Sequence, residues 1–483
     1  MNPDSRRSAL VRGAPVVLTL VTALLTAGGC ATNPATGRPQ LALISESQEI
    51  AMGRESAEQV DATMGLYQDD ALEVYVDRIG QRLAAASERP DLPWRFAVVD
   101  DDVVNAFALP GGYIYLTRGI LAHFNSEAEL AAVLGHEIGH VTGRHSVEQL
   151  SRQQLASLGL GIGGALYSPI RGMSGVLSQG LGVLFLKYGR DDEREADTLG
   201  VRYMVREGYD PNAAVAVFEM LGRKTEAAGG QQIPSWLSTH PAPADRRERL
   251  KAQIAENPAR ADRVAREAYL ERIDGLVYGK DPRHGYFEGE RFVHPELEFA
   301  FTLPGGWQRQ NLSRAVVAQH PDGAAALELT LAATDGHAAA AEAFLSQPGI
   351  SRGDARARRV SGLPATEALF AAQTERGSIG GLVTFIDFGG RTYRVLGMTA
   401  REQLNRFLPI FRDTAASFAR ITDRRLLDVE PARVELLRLD EARSITGLKA
   451  RRASPLDAEE LAILNGVDAG EVLPAGRLVK WVR

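Results

Sequence analysis

Residues 126–140 read SEAELAAVLGHEIGH, and this stretch decides how the rest of the chain is interpreted. Its apolar residues recur at helical spacing, with Ser126 placed to cap the helix and Glu129 to complete a capping box. Residues four apart share a helix face, so His136 and His140 point the same way and can hold one Zn²⁺. Glu137 can then take a proton from a metal-bound water, the general-base role in metalloproteases.

The alternative is an amphipathic core helix whose histidines are satisfied by hydrogen bonds, because the pattern fixes only three positions. The cap and the helical period favour the metal site. His145 follows His140 by five residues and is expected on another face, as a surface or helix-end residue and not as a ligand.

Composition sets broad limits on the chain. Its 483 residues suggest about two to four domains, and 45% hydrophobic with 24% charged residues is ordinary for a globular protein. The net charge of −6 gives no support to nucleic-acid binding. A single cysteine, Cys30, excludes an internal disulfide framework.

Residues 1–30 have the pattern of an export signal, with a basic start and an uncharged, mostly apolar run from Ala14 to Ala27. The sequence Ala27-Gly28-Gly29-Cys30 resembles the bacterial lipobox, which implies lipidation of Cys30 and, with Ala31 following, the outer membrane. The alternative is plain cleavage that leaves a free thiol. Residues 31–45 are predicted to be a tether.

Strands are predicted before the zinc helix. Phe96–Val99 is expected to be one strand, and residues 105–116, with Pro-Gly-Gly at the turn, are expected to form a hairpin. The hairpin either binds an extended peptide along its edge or is an internal strand pair. Further on, the Gly-rich segment 155–186 is too broken to span a membrane; a buried helical hairpin or a mobile flap is preferred to a membrane-surface segment.

A second chemical element is the charged run YGRDDEREADTLG at 188–200. Catalytic zinc needs a third protein ligand, and Glu193 and Asp197 share a helix face on which one of them can supply it. Glu195 is expected to point elsewhere. The alternative is a charged, solvated helix face.

The motif His136-Glu137-x-x-His140, followed by Glu193-x-x-Ala196-Asp197, resembles the zinc metallopeptidases of the HtpX and CAAX-prenyl-protease type. Residues 105–112 and Ser238-Thr239-His240-Pro241 are similar to the soluble periplasmic, BepA-like branch. The resemblance covers about residues 45–255. It implies that His136, His140 and Glu193 ligate zinc and that Glu137 is the base.

The same resemblance places Asp197 beside the site, where it would accept the outer N–H of a ligand histidine and fix its tautomer. Arg190 is expected to pair with these carboxylates. His240 has three possible roles: a hydrogen-bond donor to the oxyanion, a residue that fills the open zinc position and keeps the enzyme latent, or a loop histidine that caps the next helix.

Beyond the catalytic domain, residues 257–286 are predicted to be a helical connector and 287–421 an α+β accessory domain, a sheet with helices on one side. No catalytic constellation is found there. In residues 429–483, the motifs Leu461-x-x-Leu464-Asn465-Gly466 and Leu473-Pro474-x-Gly476 resemble the end of a LysM module, the small βααβ glycan-binding fold.

The predicted fold class is therefore α+β: a mainly helical zincin-type metallopeptidase domain with a small sheet at 46–256, then the accessory domain and the LysM-like unit. The predicted function is a metalloendopeptidase with one Zn²⁺ per chain, acting on unfolded or misassembled envelope polypeptides in the periplasm. The chain would be anchored to the outer membrane through Cys30, with peptidoglycan contact through the C-terminal module. The alternative is an envelope chaperone or peptidoglycan-associated lipoprotein with a latent or structural zinc site.

Overall fold

The structure, a computed structural model, describes residues 30–159, 188–227, 235–240, 246–256, 261–374 and 377–483. The predicted export signal before Cys30 and residues 160–187, most of the predicted flap, lie outside the described residues, as does Pro241. Within the described ranges, no helix is long and apolar enough to cross a membrane.

The N-terminal half is mainly helical and carries two small sheets. Its elements are β1 (Cys30–Thr32), β2 (Pro39–Leu41), α1 (Glu46–Met64), α2 (Asp70–Ala85), β3 (Arg95–Val99), β4 (Ala106–Leu109), β5 (Tyr113–Thr117), α3 (Arg118–His123), α4 (Glu127–Thr142), α5 (His145–Gly159), α6 (Arg190–Arg206), α7 (Asn212–Ala227), α8 (Ser235–Thr239), α9 (Arg246–Glu256) and α10 (Arg266–Arg272).

Helix α4 is the predicted zinc helix, and it begins as the sequence indicates. The Ser126 hydroxyl accepts the N–H of Glu129 at 3.2 Å. The Glu129 carboxylate accepts the N–H of Asn125, at 2.9 Å, one residue before the position that a capping box requires. The predicted cap at Ser126 is therefore confirmed. The capping box is not completed, because the Glu129 carboxylate bonds to the N–H of Asn125 and not to that of Ser126.

Glycines let α4 and α6 pack backbone against backbone. A Cβ on Gly135 would lie 3.0 Å from the Gly200 carbonyl oxygen, and a Cβ on Gly139 would lie 2.9 Å from the Ala196 carbonyl oxygen. Larger side chains at these positions would push the helices apart. This close contact brings the second charged element beside the two histidines of the first.

The three-stranded sheet has the order β3-β5-β4, with β3 parallel and β4 antiparallel to the central β5. The predicted hairpin is confirmed, since Leu109 pairs with Tyr113 across a turn in which Gly111 and Gly112 have φ of 77° and 103°. Strand β4 is an edge of this sheet and packs against α4.

Two segments at the borders of the catalytic unit differ from the prediction. Residues 31–45 are not a free tether: β1 and β2 pair antiparallel, and Asn33 and Gln40 are buried against the catalytic unit. In the predicted connector 257–286, the described part holds one short helix, α10, and Tyr269 and Leu270 are buried in the main core.

Residues 286–427 form the α+β accessory region. Its elements are β6 (Tyr286–Glu288), β7 (Arg291–His294), β8 (Phe299–Thr302), β9 (Gln308–Leu312), β10 (Ala315–Gln319), β11 (Ala325–Leu331), α11 (His337–Leu345), β12 (Ile350–Val360), β13 (Leu363–Thr374), β14 (Gly377–Phe388), β15 (Arg391–Ala400), α12 (Leu404–Ala416), β16 (Ala419–Arg420) and α13 (Arg424–Leu427).

The larger sheet of this region has seven strands in the order β12-β13-β14-β15-β11-β10-β9, and a smaller one has the order β16-β8-β7-β6. The expectation of helices on one side is wrong. Leu382 of β14 packs in the cluster that holds Phe411 of α12, whereas its neighbour Val383 packs in the cluster that holds Phe344 of α11. Adjacent strand residues face opposite sides, so α11 and α12 cover opposite faces.

The C-terminal unit comprises β17 (Val434–Arg438), α14 (Ile445–Lys449), α15 (Ala458–Asn465) and β18 (Leu478–Val482), and the two strands pair antiparallel. It has a small core of its own around Trp481. Val434, Ile463 and Leu478 also join the main core of the catalytic unit, so this unit is packed onto that domain.

Candidate metal centre

The two histidines of α4 face one buried point. His136 is 4% exposed and His140 is 1% exposed, and their Nε2 atoms lie 3.1 Å apart. The helical spacing thus brings together the atoms that the sequence predicts as metal donors. Burial, followed by the neighbouring histidines, holds the pKa of His140 well below its usual range, which favours the neutral imidazole that metals bind.

Two more donors reach the same point from other elements. Glu193, in the first turn of α6, places its carboxylate 3.6 Å from the Nε2 atoms of both His136 and His140. His240, at the end of α8, places Nδ1 3.0 Å from Glu193 Oε1 and 3.4 Å from His136 Nε2. One donor atom from each of these four residues lies within 4.8 Å of the others.

This donor set fits a zinc ion. Imidazole nitrogens and a carboxylate oxygen are typical zinc ligands, and four of them suit its tetrahedral coordination. Burial raises the pKa of Glu193, but the charges and hydrogen bond of His240 and the charge of His136 outweigh it and lower that pKa. The carboxylate is therefore held ionised, as a metal ligand must be.

Glu137, the next residue of α4 after His136, lies beside the same donors, with its Oε1 3.6 Å from His240 Nε2. It is fully buried, and its Oε1 accepts the indole N–H of Trp236 at 3.0 Å. Its Oε2 has no hydrogen-bond partner among the described residues. A buried carboxylate oxygen left open in this way is available to a ligand of the site.

Asp197 lies behind the first histidine, where the sequence places it. Its Oδ1 lies 3.1 Å from His136 Nδ1, the ring nitrogen that faces away from the other donors. Burial raises the pKa of Asp197, but the hydrogen bond from His136 and the charge of Arg246 outweigh it and lower that pKa to about 2. An ionised Asp197 fixes the His136 tautomer with hydrogen on Nδ1 and leaves Nε2 free to bind metal.

Arg246 is the cation that the sequence analysis assigned to the wrong residue. Its guanidinium is 1% exposed, bonds to both oxygens of Asp197 and lies 2.7 Å from Glu193 Oε2. Arg190, predicted for this role, is exposed at the start of α6. The arginine comes from α9 because that helix packs across α6, which is a tertiary contact that no local pattern signals.

His145 and Glu195 are not among the four donors, and His145 is the first residue of α5, but it is buried and not a surface residue. His145 is 2% exposed, and its Nδ1 lies 2.9 Å from His140 Nδ1. Glu195 Oε1 lies 3.5 Å from His145 Nε2. The expectation that His145 lies on another face assumed a continuous helix, but α4 ends at Thr142 and α5 begins at His145.

Aromatic rings close the remaining sides of the centre. Tyr188 stacks on the ring of His140 with centroids 3.9 Å apart, and its hydroxyl lies 2.9 Å from the hydroxyl of Ser146. Trp236 lies 5.3 Å from the ring of His136, measured between centroids. Neither was predicted as part of the site, although Tyr188 is the first residue of the charged run and Trp236 lies two residues before the motif that contains His240.

The fold and the site together define a class: a helix with two histidines and a glutamate, packed on a second helix that supplies a carboxylate, is the arrangement of a single-metal peptidase. Residues 70–254 match the family model described as Peptidase family M48. This part of the chain is similar to the peptidases of that family.

Two groups of proteins are among the curated proteins similar to this chain. The Beta-barrel assembly-enhancing protease of Yersinia pestis is 33% identical over 276 residues, which are 55% of this chain and 54% of that protein. The protein of the same name from Escherichia coli K12 is 30% identical over 223 residues, which are 44% of this chain and 45% of that protein.

The second group is mitochondrial. The Mitochondrial metalloendopeptidase OMA1 of Arabidopsis thaliana is 38% identical over 173 residues, which are 35% of this chain and 33% of that protein. The chain thus spans about half or less of the length of these relatives. The comparisons support a peptidase domain in this chain.

Proposed function

We propose that the chain is a zinc metalloendopeptidase in which His136, His140 and Glu193 hold the metal. One observation carries this proposal. These donors are buried and converge on one point, beside the Glu137 carboxylate, whose Oε2 has no hydrogen-bond partner among the described residues. The histidine nitrogens and the carboxylate are the donor types of catalytic zinc sites, which keep one position open for substrate or water.

Each residue of the site has a task. When bound, zinc supplies a Lewis acid that polarises the scissile carbonyl. Glu137 accepts a proton from the attacking water through its open Oε2 and returns it to the leaving amine. Trp236 donates a hydrogen bond to Oε1 of the same carboxylate, which leaves Oε2 as the atom that accepts the proton. Asp197 keeps His136 in the tautomer that binds metal.

Strand β4 gives this domain a place for an extended peptide. It is an edge strand of its sheet, packs on α4 and lies just before the hairpin turn. A substrate backbone pairing with this edge would cross in front of the zinc helix, as in β-strand addition. Binding through backbone groups favours unfolded polypeptide over folded protein.

The proposed substrates are unfolded or misassembled polypeptides of the bacterial envelope. Two of the relatives bear names that link them to β-barrel assembly. Lipidation of Cys30, outer-membrane anchoring in the periplasm and a peptidoglycan contact through the C-terminal unit complete the proposal; each rests on its sequence motif.

A latent form of the same site is the second candidate. His240 offers Nδ1 to the same point as the three proposed ligands, at 3.0 Å from Glu193 Oε1. A fourth protein donor would occupy the position that substrate or water needs. In this form the protein would bind zinc but would not cleave peptide bonds, although Glu137 is in place, until His240 moves away.

The decisive experiment compares purified chain from residue 31 onward with its Glu137→Gln variant on casein, with zinc content measured for both. The peptidase proposal predicts cleavage by the first and none by the second, with about one zinc per chain in each. Equal cleavage by both proteins would contradict the role of Glu137. Zinc in both and cleavage by neither would favour the latent form.

His240→Ala then separates the roles of that histidine. Faster cleavage than in the unaltered chain identifies His240 as the group that blocks the site. Slower cleavage with unchanged zinc content identifies a donor to the reacting carbonyl. His284→Ala is the control, because His284 is a half-exposed histidine outside the centre.

A further inference from the structure

The turn between α4 and α5 returns the chain to the metal centre. Gly143 ends α4 with φ −71°, and Arg144 has φ 55°, a left-handed conformation that few non-glycine residues adopt. The Arg144 guanidinium bonds to Glu49 Oε2 at 2.9 Å and to the Ile44 carbonyl at 3.0 Å, which holds this conformation in place. His145 is thereby directed back at His140.

The hydrogen bond between the two rings has only one direction that is compatible with metal binding. His140 Nε2 faces His136 and Glu193, so Nε2 must be unprotonated to bind metal, and the hydrogen is on Nδ1. His140 Nδ1 therefore donates to His145 Nδ1 at 2.9 Å, and His145 must accept there. The remaining hydrogen of neutral His145 is on Nε2.

His145 Nε2 faces the Glu195 carboxylate. The distance to Oε1 is 3.5 Å, and this buried nitrogen has no other partner among the described residues. Glu195 Oε1 is itself bonded at 2.7 Å by the side-chain amide of Asn33, which lies in the turn between β1 and β2. The groups form one chain of contacts from the N-terminal hairpin to His140.

Gly143 has no side chain, and the contact between His145 and Glu195 occupies the space where a Cβ would lie. A Cβ at position 143 would lie 2.5 Å from His145 Nε2 and 2.9 Å from Glu195 Oε1. The backbone of Gly143 is helical, so its conformation does not require glycine. What requires glycine here is the close approach of the imidazole and the carboxylate.

We infer that Asn33, Glu195 and His145 are positioning residues for His140. The hairpin of β1 and β2, which carries Asn33, thus helps to orient a metal ligand. The inference rests on the proposed function, because it assumes that His140 binds metal. Glu195 fixes the tautomer of His145, His145 fixes the tautomer of His140, and Asn33 holds Glu195 in place. Outer hydrogen bonds of this kind orient ligand histidines and strengthen metal binding.

The test measures zinc affinity of the full chain by competition with a chromophoric chelator, together with the visible absorption spectrum of the cobalt-loaded protein. His145→Leu removes the acceptor, and zinc affinity should fall about tenfold or more with a changed cobalt spectrum. His145→Gln keeps one acceptor and one donor and should recover part of the affinity. Gly143→Ala should resemble His145→Leu.

The hairpin is tested by a matched pair. Asn33→Asp keeps the side-chain oxygen that accepts from Ala35 and Thr36 within the turn, but removes the donor to Glu195 and to the Gly143 carbonyl. Gln40→Ala removes a donor to the Gly143 carbonyl from the same hairpin without touching Glu195. The inference predicts weaker zinc binding for Asn33→Asp and an affinity within about twofold of the unaltered chain for Gln40→Ala.

The outcomes separate the two proposals. If the unaltered chain binds no zinc, the proposed metal centre is wrong. If it binds zinc and His145→Leu, still folded by its thermal unfolding curve, binds it equally well with an unchanged cobalt spectrum, only the positioning chain is wrong. Equal effects of Asn33→Asp and Gln40→Ala on zinc affinity would also overturn the inference, since they would show that the hairpin acts only through general packing.

Discussion

The indole N–H of Trp236 donates to Glu137 Oε1 at 3.0 Å, and Trp236 is 1% exposed. This bond joins the residue proposed as general base to α8, the short helix that His240 directly follows. The base and the fourth donor of the centre are thus positioned by one element, and a movement of α8 would change both.

Trp236→Phe should reduce catalysis without removing the metal. Phenylalanine keeps the packing against Phe218 but has no N–H for Glu137. A hydrogen bond to a charged group contributes about 1.5–3 kcal/mol, so kcat should fall about 10- to 100-fold. Zinc content by mass spectrometry and casein cleavage check this, with Trp307→Phe in the accessory region as the control. Loss of zinc would contradict it.

Arg246→Met should destabilise the metal-free protein. The guanidinium lies between Glu193 and Asp197, and its removal leaves the buried Glu193 without its arginine and Asp197 with only Arg249, at 3.1 Å. Breaking a buried ion pair costs about 3–5 kcal/mol, and bound zinc should restore part of the loss by replacing the charge. Urea unfolding with zinc and with EDTA measures both effects.

Arg247→Met is the matched control for this experiment. Arg247 is the next residue of α9, half-exposed, and pairs with the exposed Glu248. Such surface pairs contribute about 0–1 kcal/mol. Similar losses from both substitutions would mean that Arg246 acts through helix packing and not through the two carboxylates.

The sequence allowed the site to be predicted wherever the signal was local. Helix α4 and its cap at Ser126 follow from spacing along one helix, and the place of Asp197 beside His136 is what the family resemblance implied. Arg246 and the return of His145 depend on how helices meet and on one left-handed residue, Arg144, which has no distinctive local pattern. These could not be predicted from one sequence.

In the accessory region, too, features with a local sequence pattern can be predicted, and features that depend on tertiary structure cannot. The apolar residues of helix α12 recur at helical spacing, and Phe407 and Phe411 are each 1% exposed. Strand β12 has no comparable signal because it is an edge strand exposed on most of its length, so ISRGDARARRV lacks the alternation of a half-buried strand. The faces that α11 and α12 cover depend on sheet topology, which periodicity does not encode.

Glu127→Gln should make stability less dependent on pH. Glu127 begins α4 and accepts the hydroxyls of Tyr75 and Tyr209, each at 2.6 Å. Burial raises the pKa of Glu127, but these bonds and the charge of Arg263 outweigh it and lower that pKa below its usual range. A lowered pKa adds stability above the unfolded pKa of about 4.5, which is lost as pH falls through the folded pKa.

The variant should therefore be less stable than the unaltered chain at pH 7, and the difference should narrow as pH falls below about 4.5. Urea unfolding at a series of pH values measures the difference. Glu58→Gln, at an exposed position of α1, is the control and should leave the curve unchanged. A difference that stays constant down to pH 3 would show that Glu127 acts through its shape and not its charge.

Lys480→Met should loosen the C-terminal unit from the catalytic domain. The Lys480 side chain is fully buried, and its Nζ donates to the carbonyls of Ala122 at 2.8 Å and Phe124 at 2.7 Å, where α3 ends. Methionine fills the space but leaves these carbonyls without a donor, at a cost of about 1–3 kcal/mol. Urea unfolding measures the loss, and limited proteolysis should release the C-terminal unit earlier.

Lys449→Met separates docking from the stability of the unit itself. Lys449 donates to the Ser454 carbonyl at 2.6 Å, entirely within the C-terminal unit. Its loss should weaken that unit without exposing the end of α3, which lies shortly before Ser126 and the zinc helix. If only Lys480→Met also lowers zinc affinity, the C-terminal unit supports the start of α4. Equal effects of the two variants on zinc affinity would contradict that link.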